Sequence, residues 1–212
     1  MSRDLTIDDV IRALRGPLPG AAAQERMATR PRPTMAEFEH EGPPRPGAVL
    51  ILLYPQDGAL CFPLTRRTER VANHKGQISL PGGAQDPQDA SLWETALREA
   101  HEEIAIDPAK VRYLGALSPL VIPASNFEVH PFVGYQEGVP AMRPNPAEVA
   151  EIIPLPLRGI LEPSVKAHET WTLRGRRVEV SFYRYQQHVI WGATAMILSE
   201  FEVLLEAATP PA

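Results

Sequence analysis

The chain has 212 residues, with 21 Lys plus Arg against 26 Asp plus Glu and a formal net charge of −5 with histidine neutral. At 44% apolar and 22% charged residues it can bury a sizeable core, which excludes a disordered tail or a fibre. The mild acidic excess supplies no general field for nucleic acid or anionic lipid, so an anionic ligand needs a locally built site.

In chain order, Ile7, Val10, Ile11 and Leu14 repeat at helical spacing behind Thr6, with Asp9 three residues on in a capping-box arrangement. This predicts a short amphipathic helix ending at Gly16-Pro17. Residues 17–46 hold seven prolines in thirty positions, which predicts an arm laid over the surface, unable to sustain a helix or a central strand. The run AVLILLY at 48–54 suits a strand buried on both faces, and Asp57-Gly58 turns it into a second strand at 59–64. Further strands are predicted at 77–80, 111–117, 127–135 and 178–185, with helices at 91–105 and about 192–207. Strands, helix, strands and helix in this order read as one α/β or α+β core. The single cysteine, Cys61, rules out an intrachain disulfide and a thiolate zinc cluster. With no signal-like apolar run and no span-length stretch, the expectation is a soluble protein of a reducing, cytoplasmic compartment, with no membrane partner.

The chemistry concentrates at residues 81–106, PGGAQDPQDASLWETALREAHEEIAI. Ser91 and Glu94 form a capping box. At about 100° per residue, Trp93, Ala96, Leu97, Ala100 and Ile104 share one face, while Glu99, Glu102 and Glu103 gather on another. Three carboxylates so placed repel one another and call for a cation. Mg²⁺ or Mn²⁺ suits such oxygen ligands and is commonly shared with substrate phosphates. Gly82 and Gly83, just upstream, let bare backbone approach a ligand. Taken alone, the charge run is as readily a solvated helix face; the glycine pair ahead of it favours a site.

Gly83, Asp89 and the run Arg98-Glu99-Ala100-His101-Glu102-Glu103-Ile104-Ala105-Ile106 resemble the Nudix box, G-x5-E-x7-R-E-U-x-E-E-x-G-U. The REUxEE core matches in full, while Asp89 replaces the first Glu, one extra residue follows it, and Ala105 replaces the last Gly. Upstream, Leu64-Thr65-Arg66-Arg67 and His74-Lys75-Gly76-Gln77-Ile78-Ser79-Leu80-Pro81-Gly82-Gly83 are similar to the signature of the coenzyme A pyrophosphatase branch. The resemblance covers roughly residues 45–205. It implies a Nudix-type α/β/α sandwich with a mixed sheet, in which residues 1–46 are the N-terminal helix and proline-rich arm and 47–208 the catalytic domain. It implies metal-dependent cleavage of the pyrophosphate of coenzyme A or an acyl derivative, to 4′-phosphopantetheine and adenosine 3′,5′-bisphosphate. The rivals are another nucleoside diphosphate derivative, such as ADP-ribose, NADH or a dinucleoside polyphosphate, and a non-catalytic binding module of the same fold.

The site expected from these residues has Glu99, Glu102 and Glu103 as metal ligands and Glu148, on a later loop, as a further ligand or general base. Glu151 is the weaker alternative. Arg67, Arg70, His74, Lys75, Gly82 and Gly83 are the expected substrate contacts, the basic ones suited to the extra phosphate of coenzyme A, or else plain surface charge or partners of the carboxylate helix. Arg98 is expected to orient Glu99 or Asp89. The six histidines contain no close ligand pair, so zinc is a poor fit; Trp171 and Trp191 read as core or pocket wall. The partner is a small nucleotide, not nucleic acid, and a homodimer is left open.

Overall fold

The computed structural model describes residues 5–68 and 76–208. Helix α1 (Ile7–Leu14) begins at Thr6, whose hydroxyl accepts from Asp9 N–H while the Asp9 carboxylate accepts from Thr6 N–H at 2.9 Å. That reciprocal pair closes the expected capping box. The arm departs from expectation. Its prolines fall in three groups, at 17 and 19, at 31 and 33, and at 43–46, and the proline-free stretch 20–30 between the first two forms helix α2 (Ala21–Gln24) and a 3-10 turn at Glu25–Met27. Ala23, Met27 and Ala28 are buried, so this segment is packed into the molecule instead of lying across it.

Strand β1 (Arg45–Gln56) turns through Asp57 and Gly58, both at positive φ, into β2 (Ala59–Arg67). This is the primed hairpin geometry favoured by Asp-Gly. Strand β3 (Ile78–Ser79) pairs with β2, and β4 (Gly82–Ala84) lies antiparallel against β1. Helix α3 (Leu92–Ile104) follows, then β5 (Arg112–Ala116), β6 (Leu120–Ile122) and β7 (Phe127–Tyr135). Strand β7 runs parallel to β1 from Arg45↔Phe127 to Leu53↔Tyr135, which makes the sheet mixed. Strand β8 (Val149–Pro156) pairs with β2. Strands β9 (Lys166–Leu173), β10 (Arg176–Tyr185) and β11 (His188–Trp191) form a separate antiparallel sheet, and helix α4 (Gly192–Ala208) closes the fold.

The alternation along β1 builds the layers. Ala48, Leu50 and Leu52 face α3, meeting Ala96, Ala100 and Ile104, while Ile51 and Leu53 face the opposite core with Phe62, Leu64, Ile197 and Phe201. Burying a side chain of this size contributes about 1.5–3 kcal/mol, so the central strand is fixed from both sides. None of the described helices is long and apolar enough to cross a membrane.

Helix α3 ends at Ala105, in left-handed conformation at φ 57° and ψ 31°. An alanine there is strained by about 1–2 kcal/mol, a cost glycine avoids. Ala105→Gly is therefore expected to stabilise the protein by about 1 kcal/mol, a rise in melting temperature of roughly 2–4 °C for a chain of this size. An unchanged or lower melting point would contradict this account of the helix end.

Candidate active site

The site is assembled where β4, α3 and the loop before β8 meet. Gly82 pairs with Val49, and Gly83 with Ala48. A Cβ on Gly82 would stand 2.2 Å from the Ala48 carbonyl oxygen, and one on Gly83 would stand 2.5 Å from the Glu99 carboxylate. Both positions are thus glycine for close approach, and the second makes room for an acidic side chain.

Ser91 caps α3 by accepting from Glu94 N–H at 3.2 Å, but Glu94 accepts from Ala90 N–H, one residue before the return bond of a capping box. One helical turn on, Arg98 organises the acids. Its Nε and Nη2 donate to the two Asp89 oxygens at 2.9 Å each, Nη2 also donates to the Ala84 carbonyl at 3.0 Å, and Nη1 reaches Glu99 at 2.8 Å and Glu102 at 3.3 Å. The fork on Asp89 shows that this shorter acid still pairs with Arg98, holding the Asp89 carboxyl well below the usual carboxylate range. Arg98 thus orients both the loop acid and Glu99, as expected from the sequence.

Glu103 is 2% exposed. It accepts from Gly82 N–H at 3.3 Å and from Arg67 Nη1 at 3.3 Å, yet burial outweighs both donors and pushes its carboxyl up to about 7. Burial likewise raises Glu99. Glu148 adds repulsion to each of these two acids. Its loop is pinned to both neighbours: Asn145 N–H donates to the Glu103 carbonyl at 2.8 Å, and Thr68 N–H to the Glu148 carbonyl at 2.8 Å. The structure therefore brings Glu99, Glu103 and Glu148 into one electrostatic group, with Glu102 joined through Arg98 and half-exposed.

Among the described residues, no three His, Cys, Asp or Glu side chains already stand at metal-holding separation. The guanidinium groups of Arg98 and Arg67 engage the carboxylate oxygens. The donor set is nonetheless all carboxylate oxygen, and Gly83 lets the Glu99 carboxylate lie against bare backbone where a Cβ would overlap it, so these residues fit a hard divalent cation.

Of the expected substrate contacts, Arg67, Gly82 and Gly83 are at the acidic cluster, whereas Arg70, His74 and Lys75 lie outside the described residues. Glu151 is engaged elsewhere, accepting from Arg66 Nε at 2.9 Å. His101 is exposed and donates Nδ1–H to the Ile106 carbonyl at 2.7 Å, away from the acids. Trp171 stacks on Phe182 at 5.6 Å and meets Trp191 edge-on, consistent with a wall of the β9–β11 sheet. Asn145, which the sequence did not single out, sets the position of the Glu148 loop; a Pro-Asn-Pro run was its only local signal.

The family profile described as NUDIX domain matches residues 44–174. A protein of Photorhabdus laumondii named "Uncharacterized Nudix hydrolase NudL" is 44% identical over 137 residues, 65% of this chain and 73% of that protein. One of the same name from Enterobacter sp. is 40% identical over 158 residues, 74% of this chain and 80% of the relative. The crystal structure of a Nudix hydrolase from M. smegmatis, RenU, superposes with a TM-score of 0.53 at 17% identity, over 83% of this chain and 93% of that one. That last likeness bears on the fold, and the first two bear on descent. With the profile spanning more than half the chain and its close relatives named for the same chemistry, this chain belongs to the Nudix hydrolase family and is an enzyme.

Proposed function

We propose that the enzyme hydrolyses the pyrophosphate bond of coenzyme A or an acyl-coenzyme A, releasing 4′-phosphopantetheine or its acyl form and adenosine 3′,5′-bisphosphate. The observation that carries this reading is the Leu64-Thr65-Arg66-Arg67 run on β2, which ends with Arg67 against Glu103. A generic Nudix pattern has no counterpart of that run or of the following block to Pro81-Gly82-Gly83. Glu99, Glu102 and Glu103 are the proposed ligands of Mg²⁺ or Mn²⁺, which when bound neutralises phosphate charge and acidifies water. Arg98 holds Glu99 in place, Arg67 is set to fork onto a phosphate, and Glu148 is the proposed general base. Residues 47–208 form the catalytic domain in this reading, with 1–46 as its arm.

The test is incubation with coenzyme A, ADP-ribose, NADH and dinucleoside polyphosphates plus Mg²⁺ or Mn²⁺, with products identified by mass. Preference for ADP-ribose or a dinucleoside polyphosphate would overturn the coenzyme A reading while leaving the family chemistry intact. Within that reading, the 3′-phosphate falls to Arg70 and Lys75, because Arg67 already stands at the acids. Dephospho-coenzyme A should be the poorer substrate by roughly tenfold to a hundredfold in kcat/KM, the worth of one charge-assisted contact. Arg70→Ala should narrow that gap, and Arg67→Ala should lower both substrates alike. An undiminished gap in Arg70→Ala would remove this residue from phosphate recognition.

A further inference from the structure

Beside β8, away from the acids, lies an open groove of about 470 Å³. Its lining combines the apolar Cys61, Ile152, Ile153, Pro154 and Pro156 with Asp57, Glu151, Tyr185 and the buried His188. We infer that this groove is the subsite for the uncharged pantetheine arm of the substrate, an inference that rests on the coenzyme A reading above.

Register, length and charge each support it. In the β2–β8 ladder Arg66 faces Glu151 and Cys61 faces Pro156. One end of the groove therefore lies beside Arg67, which touches Glu103, and the other at the β1–β2 turn. From Glu151 to Pro156 is about 17 Å at ~3.4 Å per residue. An extended pantetheine arm has the reach of about four residues of extended chain, roughly 14 Å. A pyrophosphate held at the acids could thus lay its arm along β8 and end near Cys61.

The groove also discriminates between the two ends of coenzyme A. Among the described residues no Lys or Arg lines it, and Asp57 is acidic; the Glu151 carboxylate is paired with the neighbouring Arg66 guanidinium at 2.9 Å. A phosphorylated adenosine would meet the Asp57 charge there, whereas two neutral amides and an apolar tail would not. Strand β8 pairs with β2 alone among the described strands, so its other edge keeps backbone donors and acceptors that an amide chain can use.

The experiment fills the groove at Ala59, a half-buried lining residue remote from the acids. Affinities of the two product halves, 4′-phosphopantetheine and adenosine 3′,5′-bisphosphate, are measured by calorimetry with Mg²⁺ for the unmodified enzyme, Ala59→Trp and the milder Ala59→Leu. The expected result is at least tenfold weaker binding of 4′-phosphopantetheine in Ala59→Trp, a smaller loss in Ala59→Leu, and a change under twofold for the bisphosphate. Unchanged binding of both halves, or parallel loss of both, in variants with an unaltered melting temperature would overturn the assignment. Should Ala59→Trp fail to fold, Ala59→Leu decides by the same comparison. Failure of the parent reading is separately visible, because the unmodified enzyme would then leave coenzyme A uncleaved.

Discussion

Glu103→Gln should cut turnover by a hundredfold or more while leaving the fold intact. The substitution keeps shape and one of the two bonds that Glu103 accepts, from Gly82 N–H or from Arg67, and it removes the charge together with the second acceptor oxygen. A cation at such a site supplies several kcal/mol of charge stabilisation, and each ~1.4 kcal/mol is a factor of ten in rate. The comparison is kcat at saturating Mg²⁺ together with the circular dichroism spectrum. A variant with native spectrum and near-normal kcat would remove Glu103 from the ligand set.

The same residue should write a pH dependence into the stability of the metal-free protein, with the opposite sign from an ordinary paired carboxylate. Burial holds Glu103 at about 7, against 4.5 for the unperturbed group. The folded state therefore binds its proton more tightly than the unfolded state. Below about pH 4.5 both states are protonated and the group costs nothing. As pH rises from 4.5 to 7 the unfolded chain releases the proton first, and folding loses up to about 3 kcal/mol, at 1.36 kcal/mol per unit. Above 7 the loss is complete. Glutamine mimics the protonated form, so melting temperatures in chelator should coincide for the two proteins near pH 4.5 and diverge above it, with Glu103→Gln the more stable at pH 8. Parallel profiles across this range would show that Glu103 is solvated. Added Mg²⁺ should stabilise the unmodified enzyme most above pH 7, where the ligand is already deprotonated.

How much of this was legible without coordinates depends on how local each determinant is. The start of α3 at Ser91 and the Arg98–Asp89 pairing follow from spacings of at most nine residues and stand as expected, although Glu94 takes the Ala90 N–H and leaves the capping box open. The Asp57-Gly58 hairpin is local in the same sense. Strand β8 was hidden because Pro154 and Pro156 argue against a strand, and it carries them with β2 as its one partner among the described strands. Strand β9 was hidden because its exposed residues lack an apolar alternation. Glu148 could be suspected but not placed, since its position depends on Asn145 meeting the end of α3 and Thr68 at the end of β2. The groove beside β8 draws on three separated segments and leaves no sequence pattern.

Glu200 and Glu202 make the point most sharply, because the last helix reads from sequence as an apolar stripe. Both are almost fully buried. Glu202 accepts from Tyr183 Oη at 2.8 Å and pairs with Lys166. Glu200 accepts from Gly20 N–H at 3.1 Å, Gln24 Nε2 at 2.9 Å and Ser118 N–H at 3.2 Å. The Gly20–Glu200 bond joins positions 180 residues apart. At ~5–20 residues per second of synthesis, a segment around Gly20 waits roughly 10–40 s before Glu200 exists to receive it. During that interval Ala23, Met27 and Ala28 have no α4 to cover them, so the arm is an apolar segment awaiting its partner on the ribosome, and the order of manufacture leaves its docking among the last steps of folding.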